Sequence, residues 1–192
     1  MASSTELESV LGEVSHSCLG GEPVPDDLAA LWAAQLRDDT DLLDAYEMTL
    51  FEGPDDILEG FRVEDGVEPA AAAAYERMAN QIRWIADVFD GSLIGYWVGD
   101  QRRSIADSPV VIVDPDGQFD LGGRTLTDFL LEQTDPYDAK DFEDVRDALE
   151  ALGIAVRVKN HEEIWTRLAD FDEPNELVMG YLIDERMRAG SQ

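Results

Sequence analysis

Cysteine occurs once in these 192 residues, at Cys18, and that excludes an internal disulfide. Histidine occurs twice, at His16 and His161, so few soft metal ligands exist anywhere in the chain. Lysine is also scarce, limited to Lys140 and Lys159. No window approaches the ~20 apolar residues of a membrane-spanning helix. The N-terminal run MASSTELESVLGEVSHS has no basic segment ahead of an apolar one, so no signal peptide is expected. The expectation is a cytoplasmic protein that does not bind membranes.

What is abundant is acid. There are 43 aspartates and glutamates against 14 lysines and arginines, a formal net charge of −29. Such a surface repels phosphate backbones and anionic lipid, which argues against direct nucleic-acid or membrane binding. It attracts a basic protein and speeds their encounter. A salty habitat or simple solubility would also favour this composition. The 44% of hydrophobic residues is ordinary for a globular chain. The length fits a single domain over 1–192 with a core that needs no staples.

Along the chain, Leu7, Val10, Leu11 and Val14 predict an amphipathic helix within 1–22, loosely ordered at its start. Pro25-Asp26-Asp27 opens a second helix to about Arg37, with acids where the helix dipole favours them. Its Leu28, Leu31, Trp32 and Leu36 share one face, so the tryptophan is read as core. Met48 to Phe51 is a short strand. Gly53-Pro54-Asp55-Asp56 starts a further helix with Ile57, Leu58 and Phe61 on its apolar side. Gly66 to Pro69 is a loop, and Ala70 to Ala74 leads a helix toward Asn80.

The stretch Trp84 to Trp97 reads as a hairpin. Trp84, Ala86 and Val88 alternate with Ile85, Asp87 and Phe89, which predicts one buried and one wet face. Asp90-Gly91 is a two-residue turn signal, because glycine accepts a positive φ. A second hairpin follows, with the strand Pro109 to Val113, the turn Asp114-Pro115-Asp116-Gly117 and a return over Gln118 to Leu121. Thr125 caps a helix over Leu126 to Glu132. Asp138 to Leu152 is helical and Gly153 ends it. Ile154 to Val158 alternates like a strand. Asn160 caps a helix with Ile164, Trp165 and Leu168 on its apolar side, and a last helix covers Glu173 to Met187. Residues 81–133 would form the sheet core and 138–190 a helical part. The expected fold is α+β, a central, mostly antiparallel sheet of about five or six strands flanked by helices.

Candidate chemistry is sparse. Asp114 to Gly117 with Asp120 lacks the spacing of a calcium loop, whose twelfth position would fall on Thr125. His161-Glu162-Glu163 has Trp165 where a zinc helix needs its second histidine, so it reads as a solvent-facing first turn. His16 and Cys18 are too close in sequence to make a positioned nucleophile and base. Gly122-Gly123-Arg124 lacks the rest of a phosphate loop. No catalytic, cofactor or metal residues are assigned. A cluster of carboxylates with raised pKa in one cleft would reopen an enzymatic reading.

One loop stands out. Arg102-Arg103 is a basic pair in an acidic chain, beside Tyr96 and Trp97. Loops next to aromatics on a rigid sheet often carry recognition. Tyr96, Trp97, Asp100, Arg102, Arg103 and Asp107 are the candidate partner-binding residues. The plainer reading pairs the two arginines with acids such as Asp100 and Asp107.

The segments GSLIGYWVGD, SPVVIVDPDGQF and LGGRTLTDFLLEQ together resemble the SUKH superfamily, the Smi/Knr-like bacterial immunity proteins. The resemblance lies in their order: a glycine–aromatic strand, a Pro-Val-Val strand, a glycine turn and return strand, then a short helix, here Thr125 to Leu130. It covers roughly residues 81–133 and is looser elsewhere. The stretches DALEALGIAVRVKNHEEIWTRL and Val24 to Leu28 are also similar to parts of some members. Asp38-Asp39-Thr40-Asp41 departs from the usual turn after the first helix, and Gly53 to Asn80 has no counterpart. The resemblance implies a non-enzymatic protein without cofactors that neutralises a toxin domain, such as a nuclease or a deaminase, through a protein–protein interface. A regulatory or scaffold protein of the same fold is the alternative.

Overall fold

The computed structural model describes residues 4–53, 68–88, 91–100 and 102–190. The chain begins with helices α1 (Ser4–Ser17), α2 (Asp26–Leu36) and α3 (Asp41–Ala45), followed by strand β1 (Thr49–Leu50). Helix α4 (Pro69–Ala79) leads into β2 (Ile82–Val88), β3 (Ser92–Trp97), β4 (Val110–Val113) and β5 (Phe119–Gly123). Four helices close the chain: α5 (Leu126–Glu132), α6 (Ala139–Ala151), α7 (His161–Leu168) and α8 (Pro174–Ala189). The helix expected from Pro54-Asp55-Asp56 onward and the turn residues Phe89 and Asp90 lie outside the described residues.

The sheet is a five-stranded antiparallel meander in the order β1-β2-β3-β4-β5. Each hairpin turn brings the next strand back beside its predecessor, so no crossover is needed. Gly91 sits at φ +84° and Gly117 at φ +82°, where a Cβ is disfavoured. The second turn is closed by Asp114, whose carbonyl accepts from Gly117 N at 2.9 Å and whose carboxylate accepts from Gln118 N at 2.8 Å. Asp114 to Gly117 is thus a turn, and among the described residues no group of three or more histidines, cysteines or acids is placed to hold a metal ion.

Every residue of β3 is buried, so the sheet is covered on both faces. This differs from the half-wet sheet the alternation in β2 predicts. Adjacent strand residues point to opposite faces. Trp97 reaches α8 through Gln81, whose Nε2 donates to the Tyr181 hydroxyl at 2.9 Å. Tyr96 faces the other way, toward Asp27 of α2. Helices α4 and α8 therefore cover one side, and α2 and α5 the other. Trp32 is core, as its helical spacing predicts. The stretch 154–158 is a correction: Ile154 and Val158 are buried, but no strand forms. Alternating burial there belongs to an extended segment packed on the helices, without a ladder partner.

Glycine decides how closely α5 approaches the sheet. A Cβ on Gly122 would fall 2.5 Å from Phe129 Cδ2, and one on Gly123 2.5 Å from the Phe129 amide nitrogen. The Gly-Gly pair thus serves packing and not phosphate binding. Thr125 caps the helix as expected, its hydroxyl accepting from Asp128 N at 3.1 Å. Among the described residues no helix is long and apolar enough to cross a membrane.

Gly123→Ala is expected to destabilise the protein by about 1–3 kcal/mol, because the obstacle is backbone that cannot yield. Gly12→Ala, in the exposed middle of α1 with nothing within 4 Å, is expected to stabilise it by about 0.5–1 kcal/mol. Urea unfolding midpoints measure both signs.

Candidate functional site

The loop from Val98 to Ser108 carries most of the candidate partner-binding residues. The structure separates them into three groups. Tyr96 and Trp97 are each 2% exposed, so neither presents its ring to a partner. The Trp97 indole donates to Gln81 Oε1 at 3.3 Å and belongs to the core beneath the loop. Arg103 is half-buried, its guanidinium 5.5 Å from the Trp97 ring and 5.6 Å from the Phe171 ring. Its Nη1 has no hydrogen-bond partner. Asp100, Arg102 and Asp107 are exposed.

The expected pairing of the arginines with Asp100 and Asp107 does not form. Asp100 lies 3.7 Å from Arg77, and Asp107 3.8 Å from Arg124. Arg124 also donates to the carbonyls of Ser108 at 3.2 Å and Ala106 at 3.0 Å. Glu22 accepts from Ile105 N at 2.8 Å, and Ser108 Oγ donates to Ser104 O at 2.8 Å. The loop is pinned from both sides, and Arg102 sits at φ +49°, a strained value for a residue with a side chain.

Two clefts flank this loop. The smaller, about 460 Å³, includes Arg77, Arg83 and Arg102, with Glu76 and Asp100. Arg77 stacks on Tyr181 at 3.8 Å and also pairs with Asp184 at 3.7 Å. Among the described residues Arg83 and Arg102 have no ion pair. The larger, about 680 Å³, lies between the start of α2, the 104–106 turn, α5 and the extended segment after α6. Both volumes are within the range of ligand sites.

The larger cleft has a charged floor. Asp128 is 1% exposed. Arg167 Nη1 stands 2.8 Å from both of its carboxylate oxygens; it hydrogen-bonds Oδ1, while Oδ2 lacks a donor in bonding direction. Burial pushes the Asp128 pKa up; the charge of Arg167 and hydrogen bonds from Thr125 and the Arg124 backbone oppose that shift, and the charge of Asp27 adds to it. Asp27 is itself engaged: Thr127 donates to its Oδ2 from N at 3.0 Å and from Oγ1 at 3.1 Å. Beside Asp27, the buried Tyr96 hydroxyl has no hydrogen-bond partner among the described residues, and burial holds its pKa well above the usual phenol value. Among the described residues the raised carboxylates are Asp128 and Glu132, and of these Asp128 lines the cleft.

A third feature escaped sequence reasoning. Tyr137, between α5 and α6, is 97% exposed. Its amide donates to Asp135 Oδ1 at 2.8 Å, and the Asp135 amide donates to Asp141 at 2.9 Å, which holds the corner in shape. Asp135, Asp138, Glu143, Asp144, Asp147 and Glu150 are all exposed along this corner and α6. Lys140 pairs with Asp144 and Arg146 with Asp147; the other four make no ion pair among the described residues, although Lys140 also acts on Asp138 and Glu143 through its charge. The only available signal was an aromatic between acids, Asp135-Pro136-Tyr137-Asp138, in a connection between helices. His161 is half-buried: its Nε2 is 3.1 Å from the Thr134 hydroxyl, and its ring packs on Phe142. Trp165, expected on the apolar side of α7, is 49% exposed.

Comparison of the chain with protein-family models, with curated proteins and with solved structures finds no match.

Trp97→Ala is expected to cost about 3–5 kcal/mol of stability, as a buried truncation does. A variant that stays as stable as the wild type in urea would return Trp97 to the surface candidates. For Asp128 the folded pKa lies above the unfolded value of 3.8, so the folded state binds its proton more tightly. The stabilisation this gives is complete below the unfolded pKa and is lost as pH rises through the folded one. The stability difference, wild type minus Asp128→Asn, is expected to fall across that window when unfolding is followed at successive pH values.

Proposed function

We propose that this chain is a cytoplasmic, non-enzymatic immunity protein of the SUKH type, which binds a basic toxin domain and covers its substrate groove. The observation that supports this best is the acidic strip along α6 with an exposed aromatic at its head. A tyrosine offers a large contact surface at low entropic cost, and exposed tyrosines are frequent binding anchors. Four exposed acids that make no ion pair among the described residues leave the strip free to meet a basic surface. A toxin domain that acts on nucleic acid needs such a surface to hold phosphates, so an acidic partner competes for the same groove. The net charge of −29 extends this attraction beyond contact range. The resemblance in residues 81–133 supplies the toxin class, a nuclease or a deaminase.

Steered association weakens with salt, because the Debye length falls from ≈ 10 Å at 0.1 M to 3 Å at 1 M. A pull-down from the native cell's lysate at low and high salt is expected to recover one basic domain, released by salt. Its activity is expected to vanish on adding an equal amount of this protein. Tyr137→Ala is expected to weaken that complex by roughly thirtyfold, about 2 kcal/mol, with unfolding unchanged. Recovery of only abundant, unrelated proteins at low salt would contradict the reading.

A further inference from the structure

The larger cleft offers more acceptors than the fold consumes. Asp26, on its rim, is exposed and makes no hydrogen bond or ion pair among the described residues. Glu22 uses only Oε2, toward Ile105 N. Asp27 Oδ1 accepts a single bond, from Leu28 N at 2.9 Å. On the donor side, Arg167 is committed to Asp128, and Arg157, the other guanidinium lining the cleft, makes no ion pair among the described residues. Four carboxylates therefore face two guanidiniums, a local balance of −2. Val24, Ile105 and Ile154 contribute an apolar part of the lining. An apolar wall with spare acceptors beside it fits a long aliphatic stem carrying a cationic head.

We infer that this cleft seats one arginine or lysine side chain of a basic partner protein, its stem against Val24, Ile105 and Ile154 and its head at Asp26 and Asp27. The inference rests on the function proposed above, since it places an anchor of that same partner. Helix α6 joins the two places. Tyr137 precedes its first turn, and Ile154 and Ala155 follow its last. Its 13 residues span about 20 Å, within the width of one standard interface. Arg157 on the rim opposes a cation and would assist an anion, so its removal reads the sign of the occupant.

The test is an amide-resolved NMR titration of the full chain with Nα-acetyl-arginine amide, and with its neutral isostere Nα-acetyl-citrulline amide. Saturating shifts are expected at Ile105, Ala106, Ile154 and Ala155 for the arginine probe, and none for citrulline. Ala155→Trp and, as a second variant, Ala106→Trp are expected to abolish the response by filling the cleft from exposed positions. Arg157→Gln is expected to tighten binding about threefold. Unsaturable shifts spread over the acidic surface, an equal response to citrulline, or weaker binding in Arg157→Gln would overturn the inference. Once a toxin domain is in hand, unchanged affinity for Ala155→Trp would sink the cleft and leave the proposed function standing. Saturable arginine binding with no basic protein ever recovered would keep the cation site and remove the toxin.

Discussion

The buried contact between Asp128 and Arg167 holds together parts of the chain that no local signal would bring near each other. They are separated by 39 residues, and Arg167 Nη1 stands 2.8 Å from the carboxylate. Taking the Asp128 charge out of water is expensive, and the half-buried Arg167 opposes that cost without cancelling it, so removing Arg167 leaves the cost in full. Asp128 cannot withdraw to solvent, because α5 is buried along nearly its whole length. Phe129 is pressed against the side-chain-free backbone of Gly122 and Gly123. The carboxylate is thus fixed by the sheet, and α7 must come to it.

The neighbours of Asp128 extend this arrangement. Thr127 ties α5 to Asp27 at the start of α2, and the Leu130 carbonyl accepts from the Tyr46 hydroxyl at 2.7 Å. Just beyond α5, Thr134 meets His161 at the start of α7. One short helix therefore sets the positions of α2, α7 and the segment beyond α3. The larger cleft lies where these elements meet, with the ion pair as its floor. A rigid scaffold of this kind suits a protein that acts by presenting a preformed surface, since little ordering entropy is then spent on binding.

Much of this was legible from local chemistry. The second hairpin follows from Asp114 to Gly117, and the starts of α5 and α7 from Thr125 and Asn160, whose side chains cap as their types predict. The core role of Trp32 follows from helical spacing. What local chemistry missed was non-local. Tyr96 and Trp97 sit next to a polar loop in sequence, yet helices on both faces of the sheet bury them. Asp100 and Asp107 are near Arg102 and Arg103 in sequence, yet Arg77 and Arg124 reach them instead. Alternation over 154–158 records one buried side, which a strand and an isolated extended segment share. Tyr137 carries no periodic signal, because its exposure follows from where α5 and α6 end.

A double-mutant cycle on Asp128 and Arg167 tests most directly whether their pairing organises the fold. Asp128→Asn, Arg167→Gln and the double variant would be compared by urea unfolding at neutral pH. The account predicts strong coupling, with the double variant no less stable than Arg167→Gln, which alone leaves a buried carboxylate unpaired. Additive losses would mean that the two residues act independently, and that packing of α5 on the glycines alone holds α7 and the cleft in place.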